Sequence, residues 1–147
     1  MEINKSSIKY IEWRSTEDLH DDILNCISEV RFIKDEQQFL EDLIKNHTLE
    51  LIDGNSYEKS KEVISSLSSL QKGLNPLLKK LMVHSNNLQA LLDEDEVPHE
   101  MEDYKKEHYT LMFEVVAYYA KFKKVKRKIF GFIKQIFKDG KVKRLLK

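Results

Sequence analysis

Leu67, Leu74, Leu81 and Leu88 stand seven residues apart, and their beat runs across Gly73 and Pro76 without losing step. A repeat of this kind belongs to a helix that turns one seam toward other helices; a strand, with its period of two, cannot produce it. The rest of the stripe is Val63, Ile64, Leu70, Leu77, Leu78, Leu91 and Leu92.

Two more stretches keep the same steps of three and four. The first holds Leu19, Ile23, Cys26, Ile27, Val30, Ile33, Leu40, Leu43 and Ile44, with Gln37 as its one gap. The last holds Met101, Tyr104, His108, Leu111, Met112, Val115, Tyr118, Tyr119, Phe122, Val125, Ile129, Phe132, Ile133 and Ile136. Three such stripes predict an all-α fold, an antiparallel up-down-up bundle of three long helices with shallow, coiled-coil-like crossings.

Punctuation sets the expected boundaries. Ser15 ahead of Thr16-Glu17-Asp18 offers a hydroxyl cap and early acids for a helix over 16–47. Asp53-Gly54 marks a turn, and Asn55 to Glu58 has the form of a capping box opening a helix over 56–93. The acidic run Asp93 to Glu96 and Val97-Pro98 lead into a helix over 98–138, with Asp139-Gly140 as its stop. Within the second helix, Gly73 and Pro76 imply either a kink or a stop and restart; the unbroken leucine beat favours a kinked continuous helix. Gly131 in the third marks a close approach or a bend. An apolar lead-in over 1–14, with Ile8, Tyr10, Ile11 and Trp13, and a basic tail over 141–147 complete a single expected domain of 147 residues. With only four Gly and two Pro, the chain has too little turn chemistry for a sheet of many short strands.

The lone Cys26 fits a reducing compartment, and neither a leader-like apolar start nor a run of about 18 apolar residues is present, so the expectation is a cytoplasmic protein without a transmembrane segment. Net charge is zero, yet charge is unevenly placed. Residues 1–120 carry 13 Lys/Arg against 24 Asp/Glu, whereas residues 121–147 carry 12 against Asp139 alone.

Two candidate sites emerge. On the seven-residue beat, His84 shares a line with Val63, Leu70, Leu77 and Leu91, and His108 shares one with Met101, Val115, Phe122 and Ile129. Both imidazoles therefore face inward. Each lies nine residues, roughly 13 Å, from the tip that joins the last two helices, so they fall at one height. Helix one offers Asp22, Asn25, Cys26 and Glu29 at that level. His84, His108, Glu29 and Cys26 are thus a candidate transition-metal set, although no ExxH, HExxH or CxxC spacing supports it. The plainer expectation is a pair of buried histidines, bonded to Glu29, Asn25 or tyrosines, that fixes helix register.

The second candidate is the basic, aromatic segment Lys121, Lys123, Lys124, Lys126, Arg127, Lys128, Phe130, Lys134 and Phe137. Such a segment suits a protein partner or a homo-oligomer; a membrane surface or nucleic acid, met through residues 121–147, is the further alternative. Phe130 and Phe137 fall outside the core stripe. Charge matching to Asp35, Glu36, Glu41 and Asp42 on helix one would account for the same lysines.

Nothing points to catalysis. Cys26 sits on an inward stripe, Ser65, Ser66, Ser68 and Ser69 have no histidine near them, and the acidic connector lacks the glycine and ligand spacing of a calcium loop. No cofactor is implied. The sequence reads as a non-enzymatic helical-bundle interaction or scaffold protein, with its basic, aromatic third helix as the expected surface for self-association; metal or small-ligand binding by His84 and His108 is the alternative.

Overall fold

The computed structural model describes residues 15–47, 57–93 and 98–145, folded as three helices: α1 (Thr16–Asn46), α2 (Tyr57–Asp93) and α3 (Pro98–Leu145). The lead-in over 1–14, the Asp53-Gly54 turn, the Asn55 cap and residues 94–97 of the acidic connector lie outside the described residues.

Ser15 caps α1 in a full capping box. Its hydroxyl accepts from the Asp18 amide at 3.2 Å, and the Asp18 carboxylate accepts from the Ser15 amide at 3.4 Å. Two amides that the first turn leaves unpaired are thereby satisfied. Helix α2 runs without a break through Pro76, which resolves the choice between continuity and restart. Helix α3 carries on through Gly140 to Leu145, past the expected stop at Asp139-Gly140.

The seven-residue beat becomes the core. Leu19, Ile23, Cys26, Val30, Ile33, Leu40 and Ile44 of α1 are buried, as are Leu67, Leu70, Leu74, Leu77, Leu81 and Leu88 of α2. From α3 come Tyr104, Leu111, Met112, Val115, Phe122, Ile129, Ile133 and Ile136. Gln37 is no gap: it is buried on the same line, and Ser60 continues the α2 seam with its hydroxyl turned back to the Tyr57 carbonyl. Ile64 and Leu92, read as part of the α2 stripe, are instead exposed, because each sits one position beyond the seam residue beside it. Gly131 is exposed and meets nothing within 4 Å, so it serves no close approach.

The backbones of α1 and α2, and of α2 and α3, come closest, as an up-down-up path requires. Helices α1 and α3 therefore run parallel, joined by side chains. Glu36 pairs with Lys126 and His47 packs edge-on against Phe137 at 4.8 Å; in both pairs the residue numbers differ by 90.

Candidate functional site

The two histidines meet inside the core. His84 Nε2 and His108 Nδ1 are 2.8 Å apart, and His108 Nε2 lies 3.3 Å from Asp22 Oδ2. Each of the three helices thus contributes one member of a polar layer. The Tyr104 ring stacks on His84 at 4.2 Å and its hydroxyl donates to the His84 carbonyl at 2.9 Å, tying α3 to α2 a second time.

The proton order follows from the partners. A carboxylate only accepts, so His108 donates to Asp22 from Nε2. With both rings neutral, His108 Nδ1 must then accept, and His84 donates from Nε2. Burial, helped by the neighbouring His108, lowers the His84 pKa from its usual value to about 4. Burial likewise pushes the Tyr104 phenol up. At neutral pH, then, His84 is an uncharged structural donor, too weak a base for proton transfer.

The expected height match is met, but the partner on α1 is Asp22 rather than Glu29 or Asn25. The cluster is closed by its own hydrogen bonds. His84 Nε2 and His108 Nδ1 face each other across one hydrogen bond of 2.8 Å, where zinc would take about 2.0 Å to each nitrogen. Among the described residues, no three His, Cys, Asp or Glu side chains come together as a metal requires. Cys26 spends its thiol on the Met112 sulfur at 3.4 Å, and burial, with the charges of Asp22 and Glu29, pushes its pKa up to about 12. It is not a ready thiolate.

Sequence reasoning passed over a second polar layer. Gln37 donates to the Tyr118 hydroxyl, which donates to the Leu70 carbonyl, again crossing all three helices. The signal was the single polar residue at a seam position.

The basic segment lies differently. Lys121, Lys123, Lys124, Arg127, Lys128 and Lys134 are exposed, while Lys126 turns to Glu36 and lies 5.9 Å from the Phe122 ring centre. Of the other acids on α1, Glu41 takes Lys45 and Gln71 and Asp42 accepts from Gln38, so matching to α3 by the acids named on α1 centres on Glu36.

Around that ion pair stands an apolar face. Phe32 and Phe39 lie one turn on either side of Glu36, rotated away from the core, and Phe130 lies one turn beyond Lys126 on its outer side. Phe137 follows Phe130 by seven residues. These rings are 60%, 58%, 42% and 52% exposed in chain order. Because α1 and α3 run parallel, Phe39 and Phe130 stand on the two sides of one seam, each about a turn from its Glu36–Lys126 bridge. The α1 half of this face was not foreseen, since Phe32 and Phe39 fall off the stripe used to define that helix.

No helix of the described residues is long and apolar enough to cross a membrane. No family model matches the chain, and neither the curated proteins nor the solved structures contain a match to it.

Proposed function

We propose that this chain is a non-enzymatic helical-bundle interaction protein whose working surface is the aromatic face between α1 and α3. One observation carries the reading. Four phenylalanine rings, each about half-exposed, border the α1–α3 seam that Glu36–Lys126 and His47–Phe137 bridge, and water covers apolar surface of that kind at a cost that a partner removes. The buried polar layers support the non-enzymatic part, because their donors and acceptors are occupied by one another.

A membrane or nucleic-acid surface suits this face less well. Asp35 and Asp42 are exposed along its α1 edge and would repel phosphate beside the lysines that attract it. Cytoplasmic residence belongs to the same reading, carried by a lone thiol that a reducing compartment leaves free.

Photo-crosslinking side chains placed at Phe39 and Phe130 in expressing cells test it, with exposed Asn86 on α2 as control. Crosslinks to protein at the two phenylalanine positions and not at Asn86 are expected. Equal yields at all three positions would overturn the assignment of the surface.

A further inference from the structure

We propose that a second copy of this chain occupies the α1–α3 face, with a two-fold axis along the bundle, so that α1 of each copy lies against α3 of the other. The inference rests on the interaction reading above and names its partner.

Charge order along the edges of the face carries the argument. On α1, Asp35 follows Phe32 by three residues and Asp42 follows Phe39 by three. On α3, Arg127 precedes Phe130 by three and Lys134 precedes Phe137 by three. All four charged groups are exposed. The face therefore has an apolar middle, an acidic edge and a basic edge, the layout of an interface core with a charged rim.

Height decides which copy-to-copy geometry fits. The cross-links between α1 and α3 in this stretch differ in number by 81 to 90, which brings the levels of Asp35 and Asp42 onto the basic segment of α3 that holds Arg127. A half-turn about the bundle axis exchanges left and right and leaves heights unchanged. It sets the α1 edge of one copy, with Asp35 and Asp42, opposite the α3 edge of the other, with Arg127 and Lys134, twice over, and brings the phenylalanine rings of the two copies together. A half-turn across the bundle would instead set acid against acid and base against base, which is repulsive. Opposite charge separated side to side thus favours parallel copies.

Sedimentation equilibrium of the full chain tests this, with helix content checked by circular dichroism. The wild type is expected to dimerise, more weakly in high salt. Asp35→Lys with Asp42→Lys, and separately Arg127→Glu with Lys134→Glu, are each expected to weaken the dimer by about tenfold or more, and an equimolar mixture of the two variants to associate again. The axis is tested by oxidation. Asp35→Cys mixed with Arg127→Cys is expected to cross-link, and Asp35→Cys alone is not; Cys26, being buried, stays out of the reaction. A monomeric wild type, or Asp35→Cys linking to itself, overturns the inference. If crosslinkers at Phe39 and Phe130 then capture a different protein, the interaction surface stands and only the second copy falls. Capture no better than at Asn86 removes both.

Discussion

Gln37 Nε2 donates to the Tyr118 hydroxyl at 2.7 Å, and that hydroxyl donates to the Leu70 carbonyl at 2.6 Å, so a single hydrogen-bonded line threads α1, α3 and α2. Gln37 is only 2% exposed, and water cannot replace its partner. Tyr118→Phe is expected to cost about 1–3 kcal/mol, because it strands the buried amide. Gln37→Leu should cost far less, since Tyr118 keeps the Leu70 carbonyl. The double variant is expected to be milder than the sum, with a coupling of about 0.5–3 kcal/mol in urea unfolding. Simple additivity would show that the line is not a unit.

Stability should fall in mild acid because of His84. Its pKa drops from 6.5 in a free chain to about 4 when folded, by burial and by its neighbour His108. The unfolded chain therefore binds more protons between those values, and the stabilisation is complete above pH 6.5 and lost on the way down to about 4. The amount is of the order of 3 kcal/mol. His84→Gln keeps a donor for His108 and removes the titration, so its melting temperature should vary less with pH across that window. Equal slopes for both proteins would refute the assignment.

The backbone of the bundle leaves room for improvement at three exposed helical positions. A Cβ at Gly131 meets nothing within 4 Å, and one at Gly73 meets only Tyr118 Cε2 at an ordinary 3.7 Å. Each alanine replacement should add about 1 kcal/mol. Pro76 deprives the carbonyl one turn earlier of its amide, so Pro76→Ala should stabilise by about 2 kcal/mol. Thermal unfolding reads all three, and a loss at Pro76 would mean that the proline relieves a strain within α2.

Cys26 should ignore thiol reagents in the native protein. Its thiol is buried and its pKa stands at about 12, so modification has to wait for unfolding. The labelling rate is expected to rise with urea in parallel with the unfolded fraction. Fast labelling without denaturant would contradict the packing of Cys26 on Met112.

The architecture was legible because burial and sequence period are two faces of one geometry: the residues on the seven-residue lines are the buried ones. Heights were legible too, since a fixed rise per residue brought His84 level with His108. Side-chain reach was not. Choosing Asp22 over Glu29 or Asn25 depends on the rotation of α1 against α3, which the period leaves loose. Gln37 showed in the pattern as a blemish, and only its neighbour Tyr118 reveals it as a polar crosslink. The candidate surface was half legible: Phe130 and Phe137 stood out beside lysines, whereas Phe32 and Phe39 gained meaning only once α1 was seen to run parallel to α3. The stop at Asp139-Gly140 failed because a glycine weakens a helix without ending it.

The three backbones lie nearest between helices that follow one another in the chain, while the links from α1 to α3 span separations such as the 86 residues from Asp22 to His108. Contacts between successive elements close small loops and form fast; the distant ones wait for the rest. Either sequential hairpin, α1–α2 or α2–α3, is thus a natural first assembly, and the links of Asp22 and Gln37 to α3 complete the bundle. The reverse order holds for opening, so the earliest breach of the native protein is a separation of α3 from α1, along the very seam that the phenylalanine rings border.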